Sequence, residues 1–434
     1  MNSPRLHRRS ACPARPRQPA RHHLAVALVL ACLASSANAD SVTDWNAAAS
    51  AASVAFGGPP QRAYLMATSQ IAVHDALNSI TPRYAGYAVL PLANPGANAD
   101  AAVATAAHDV LIAQLSRAPD TAAKATARAA VDAQYATALA AIPDTTSRLQ
   151  GIAAGQAAAA AILAMRANDG SASPNLPYVW AAGPGVYQPT APNFAAPANQ
   201  GWGQVTPFAL NSNAQFGAEP SELFNLASTT YAADYNEVKA VGSAAVRGAA
   251  PDSEPSRIAR FWGNGGADWN GITRGIVPGL GMDRWEHARL FALINIGEAD
   301  AAISVFDTKY RYNFWRPVTA IRWADDGNPA TAPDPDWLPY LVTPPYPDYT
   351  CGLTTSSNGA IEVLRRFFGT DAVAYTFTAA GLTRSFDSLS QAAQEGADAR
   401  VYGGIHFRTG CEEGIRQGQK IGRYVALHLL KPLK

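Results

Sequence analysis

The stretch PPQRAYLMATSQIAVHDALNSI, residues 59–80, limits the fold most severely. Its apolar side chains recur at i, i+3, i+4 and i+7, the spacing that lines one face of an α-helix. Asn78 and the Thr81-Pro82 pair mark its end, because a residue before proline is driven out of the helical region. Three more alanine-rich segments, 97–116, 120–141 and 145–168, read the same way. Pro119-Asp120 and Pro143-Asp144 separate them, and the aspartates are natural N-caps. Small side chains let such helices approach closely. No convincing strand alternation and no internal repeat appears, so the expected class is all-α, built from helical bundles.

The composition changes at about Ser171. SPNLPYVWAAGPGVYQPTAPNFAAPANQGWGQVTPFAL is rich in Pro, Gly, Asn and aromatics, and irregular stretches of this length are uncommon inside a compact domain. Tyr178, Trp180, Tyr187, Phe194, Trp202 and Phe208 indicate that it packs onto a surface. Helical candidates then resume at 221–247, 252–263, 282–316, 354–368 and 410–430. In the last of these, Gly410, Gly414, Gly418 and Gly422 form a stripe suited to close helix contact. The expected organisation is an N-terminal helical region at 40–170, a connecting segment at 171–220 and a C-terminal helical domain at 221–434.

Residues 1–39 differ from the rest. They hold six arginines and no acid, then the apolar run LAVALVLACLA and the small-residue sequence SSANA, with Asp40 next. That order is expected of a secretory signal, and the run is too short to span a bilayer. Cys32, after VLA, offers a competing lipidation reading. Without these residues 28 basic side chains face 33 acidic ones, a net charge of −5, which argues against nucleic acid as a partner. The expected location is periplasmic or secreted, and the sequence leaves the oligomeric state open. Cys351 and Cys411 then form an even pair in a disulfide-permitting compartment and are a candidate bridge, with two buried thiols as the alternative.

The chemistry gathers in the C-terminal half. KYRYNFWRP, 309–317, carries Lys309 and Arg316 seven residues apart. On one helix they would share a face, with Pro317 ending the helix at Arg316. PPYPDYTCGLTTSSNGA runs from a Pro-rich turn into a probable helix start near Thr354, and ARVYGGIHFRTG holds Arg400 and His406. A helix N-terminus attracts anions, guanidinium forks match oxyanion geometry, and a lysine supplies a point charge. Lys309, Arg316, Arg400 and the backbone near Gly352 are therefore a candidate oxyanion cage. His406 beside such a cage is a candidate nucleophile or metal ligand. Arg311 falls on another face and reads as solvated.

These segments resemble the vanadium-dependent haloperoxidases, which share a core and an anion site with type 2 phosphatidic acid phosphatases and bacterial acid phosphatases. The family pattern K-x6-R-P is met by Lys309, Arg316 and Pro317. S-R-x3-G-x-H is met by Arg400, Gly404 and His406, with Ala399 in place of the serine. ARFWGNGGADW, WGQVTPFAL and the helical N-terminal half extend the resemblance over nearly the whole chain after the leader. It implies an oxyanion site in the C-terminal bundle, with vanadate, or phosphate in the same place, as the bound group. Lys309, Arg316 and Arg400 would hold its oxygens, Gly352 would donate a backbone N–H, and His406 would bind vanadium. Lys309 and His406 would be the catalytic pair, and hydrogen peroxide with a halide or small organic molecule the substrates.

The chain departs from the family at P-S-G-H, where it reads TCGL. Cys351 replaces an oxyanion-bonding serine with a weaker donor, and Leu353 replaces the histidine that moves protons. Asp348, Tyr349, Thr354 and Thr355 are the nearby candidates for a relay. Three readings stay open: a haloperoxidase of reduced activity, an acid phosphatase acting through a phosphohistidine at His406, and a non-catalytic oxyanion-binding descendant. His74, His108, His287 and His428 read as structural. The aspartates of WADDGNPATAPDPDW lack calcium-loop spacing and read as a turn.

Overall fold

The computed structural model describes residues 40–263 and 268–433. The expected leader lies outside them. Among the described residues the regular secondary structure is helical except for one hairpin. Among the described residues no helix is long and apolar enough to cross a membrane.

In the N-terminal half α1 (Ser41–Ser53), α2 (Pro59–Ile80), α3 (Ala99–Arg117), α4 (Ala122–Ala140) and α5 (Thr146–Met165) pack on one another. Helix α2 occupies the predicted stretch and is buried almost all round. The caps of α4 and α5 differ from expectation: Thr121 and Thr145, one residue after each aspartate, accept from the first-turn N–H groups. Asp120 and Asp144 instead pair with Lys124 and Arg148 one turn on, a use open to a longer acidic reach just outside the helix.

After the irregular segment come α6 (Thr229–Val241), α7 (Ala244–Ala249), α8 (Glu254–Gly263), α9 (Trp269–Ile276), α10 (Arg284–Tyr312) and α11 (Pro317–Arg322). They are followed by α12 (Gly352–Phe368), the antiparallel hairpin β1 (Tyr375–Ala379) and β2 (Leu382–Phe386), α13 (Leu389–Tyr402) and α14 (Arg408–His428). The hairpin lies outside residues 40–170, where no strand alternation was expected, and the fold is all-α as expected. YTFTA and LTRSF do alternate, and Gly381 at φ +73° supplies the left-handed turn between them.

Helix α10 is the axis of the molecule, packed on α2 from one half and on α12 and α14 from the other. Its contact with α12 is made backbone to backbone: a Cβ on Gly297 would come within 2.6 Å of the Gly359 carbonyl oxygen. The glycine stripe of α14 does the same, since side chains at Gly414, Gly418 and Gly422 would collide with α12. The irregular segment packs as expected through Tyr187, Trp202 and Phe208, which are buried, while Trp180 and Phe194 stay exposed. Asp300 of α10 holds its end by accepting the backbone N–H groups of Phe208, Ala209 and Leu210 at 2.6–3.0 Å.

Candidate functional site

Helix α10 stops four residues short of Arg316. Asn313 adopts the left-handed conformation and caps it, and the chain runs extended to Arg316, which begins α11 with Pro317 at its first position. Pro317 therefore opens a helix instead of closing one, as its missing N–H allows. Lys309 and Arg316 do not share a helix face. The turn between them is what brings both into one buried site, where each is fully excluded from solvent.

The Lys309 ammonium donates to three backbone carbonyls, Pro347 at 2.9 Å, Asp348 at 2.8 Å and Thr350 at 2.5 Å. Burial, reinforced by the Arg316 charge, pulls its pKa down to about 7. Arg316 donates from Nε to the Tyr346 carbonyl and from Nη1 to Ile405. The same Nη1 lies 3.0 Å from Nε2 of His406. Nδ1 of that ring is 2.9 Å from Oδ1 of the fully buried Asp348, an ion-pair distance at which neither atom makes a hydrogen bond. The Tyr346 ring is a shared platform, with Lys309 Nζ 5.2 Å and the Arg316 guanidinium 5.1 Å from its centre.

Arg400 enters from α13, steadied by a bond from Nη1 to the Trp262 carbonyl at 3.2 Å. Gly404, at φ +74°, turns the chain between α13 and α14 where no Cβ would fit against Gly242, and so sets His406 beside Arg316. Cys351 is the N-cap of α12, whose first N–H groups receive no side-chain cap. Gly352 comes next, close to the Lys309 side chain. Both cysteines are buried free thiols in one cluster. Burial opposes ionisation of Cys351, but the neighbouring Cys411, His406 and Arg400 carry its pKa well below the ordinary thiol value. Cys411 is pushed up by burial and by its neighbour.

All the sequence-predicted residues, Lys309, Arg316, Cys351, Gly352, Arg400, His406 and Cys411, thus meet in one place. The residues fit an oxyanion such as vanadate or phosphate on one observation: Arg316 Nη2 and Arg400 Nε are buried donors with no partner among the described residues, beside an uncapped helix start. Buried unpartnered donors are costly, and an anion would satisfy them. Of the four relay candidates, Thr354 and Thr355 spend their hydroxyls on the Cys351 carbonyl and Tyr349 donates to Glu219. Asp348 alone of the four faces His406.

Gly352, Leu353, Arg400 and Tyr346 line a cavity of about 470 Å³ that also reaches Glu298 of α10. Burial raises the Glu298 carboxyl to about 8. Eleven residues from Lys309 along the helix, it stands roughly 16 Å from it along the axis. Sequence spacing carried no sign of Glu298 or Tyr346. The other histidines do take structural partners: His74 meets Asp75, His108 bridges Asp109 and Asp132, His287 meets Asp40, and His428 bonds the Tyr424 carbonyl. Arg311 pairs with Asp307 at the surface, and Asp326 ties down its own turn.

Residues 289–434 match the pattern of the VCPO second helical-bundle domain. A 93-residue stretch is 36% identical to vanadium chloroperoxidase of Curvularia inaequalis, covering 19% of this chain and 15% of that protein. The fold is similar to that of a bacterial vanadium-dependent iodoperoxidase, with a TM-score of 0.76 and 27% identity over 90% of this chain and 96% of the other. It is similar also to the holo form of a bacterial vanadium-dependent chloroperoxidase, at a TM-score of 0.66 and 17% identity over 86% and 92% of the two chains.

Proposed function

Since the chain belongs to the vanadium-dependent haloperoxidase family, we propose that it oxidises halide with hydrogen peroxide at a vanadate held by Arg316, Arg400, the Gly352 N–H and His406. The observation that carries this reading is the pair of buried guanidinium N–H groups, Arg316 Nη2 and Arg400 Nε, that have no partner among the described residues. Bound there, vanadate supplies Lewis-acid activation of peroxide without change of its own oxidation state. Asp348 supplies a negative charge 2.9 Å from Nδ1 of His406, while Nε2 lies against Nη1 of Arg316. Lys309, fixed by three carbonyls, contributes charge from a set position, and the Tyr346 ring lies against both cations. We also propose, from the composition of residues 1–39, that this chemistry takes place outside the cytoplasm.

Leu353 presents no proton-carrying group to the cavity, so turnover is slow. Proton transfer by a positioned side chain contributes about 10²- to 10⁴-fold. The test is bromide oxidation by hydrogen peroxide with and without vanadate, with Leu353→His alongside. Vanadate-dependent turnover is expected in both, faster in the variant by about 10²-fold or more. Silence in both with vanadate bound would sink the proposal. A phosphohistidine lost in His406→Ala would then redirect it to phosphate esters.

A further inference from the structure

The cysteine pair is not used by the chemistry above. Cys351 caps α12 and Cys411 lies in the first turn of α14. The Cys351 N–H donates to the carbonyl of Gly410 at 2.9 Å, so the two segments are fastened one residue from the second thiol. Both thiols are fully buried in one cluster with Phe314, Tyr349 and Phe407. On the other side, Gly352 and Leu353, the residues after Cys351, line the cavity. Two reduced thiols so placed are a resolving pair for a small oxidant.

We propose that Cys351 and Cys411 form a peroxide-modified site, in which the chain itself reduces one hydrogen peroxide and closes a disulfide beside the cage. The Cys351 sulfur attacks one peroxide oxygen; the S–O bond forms, the O–O bond breaks, and the departing hydroxide leaves as water with the thiol proton. The Cys411 sulfur then attacks the sulfenic sulfur; the S–S bond forms, the S–O bond breaks, and a second water departs with the second thiol proton. The sulfur pair loses two electrons and the peroxide gains them. The reaction needs neither vanadate nor halide, so it stands or falls separately from the haloperoxidase reading.

The test uses the full chain, purified with dithiothreitol, desalted, and treated with hydrogen peroxide in the absence of vanadate. Non-reducing peptide mapping by mass spectrometry reads the products. The expected result is conversion of the Cys351 and Cys411 peptides into one linked species that dithiothreitol reverses. In Cys411→Ser, the sulfenic acid should persist on Cys351 and be captured by dimedone added together with denaturant. Thiols unchanged after excess peroxide, Cys351 carried to the sulfonic acid without a linked species, or a bond already present and resistant to dithiothreitol would each overturn the proposal.

Discussion

Lys309 has already committed its three ammonium protons to carbonyls, so toward an oxyanion it acts by charge, and its charge titrates close to neutrality. The free amine is favoured by burial and by Arg316; in the unfolded chain the group titrates near 10.5. Between about 7 and 10.5 the unfolded state therefore binds the extra proton, and stability rises with pH across that window, while below 7 the folded state bears the cost of the buried charge. Anion binding runs the other way, because it needs the ammonium. Sulfate stays a dianion throughout, and its affinity, measured by calorimetry, should fall roughly tenfold between pH 6.5 and 8.5. Lys309→Gln should flatten the profile and His406→Gln should keep it; the reverse pattern would assign the titration to the histidine. The cage residues were legible because their segments carry fixed spacings, Lys309 to Arg316 and Arg400 to His406. Tyr346 and Glu298 were not, because stacking under two cations and facing a cavity are facts of the fold and leave no local pattern.

Helices were legible where they alternate large apolar with polar residues, and less so where they bury small ones. α13, which carries Arg400, buries Leu389, Ala392, Ala393, Gly396 and Ala397. So small a set gives little periodic contrast, and only its last residues drew notice. The end of α10 escaped for a different reason. A proline can start a helix as readily as stop one, and the left-handed Asn313 that does stop it is not distinguishable in sequence from an asparagine elsewhere. The glycine stripe of α14, by contrast, could be read directly, and its role is packing. Gly418→Ala puts a methyl group against the backbone of Thr355 and Asn358, where no side chain can yield. It should cost about 3 kcal/mol, the upper end for overpacking, read as a lowered urea midpoint with unchanged slope. Gly248→Ala, with open space around its Cβ position, serves as the control. Equal effects from the two would mean that α12 and α14 are not in tight contact.

At the scale of the molecule, one hydrophobic cluster runs from Val42 in α1 through α2, α3 and α10 to Val425 in α14, and a second surrounds the cage from Leu223 to Cys411. Leu353 packs against both. The site thus lies where the two cores meet, and α10 is common to the N-terminal bundle and the cage. Cutting the chain at residue 220 would bare the face of α10 that α2 covers. We therefore expect residues 40–434 to unfold in a single transition, with near-ultraviolet and far-ultraviolet dichroism coinciding. A ligand that binds only the folded cage must then stabilise the whole unit: phosphate at a hundred times its dissociation constant should add about 2.7 kcal/mol. Both dichroism signals should move upward together by the same interval. If phosphate shifted only part of a two-step melt, the bundles would be independent, and Arg316 and Arg400 would owe nothing to the N-terminal helices. Loss of the phosphate shift in Arg400→Ala, with the single transition kept, would tie the stabilisation to the cage.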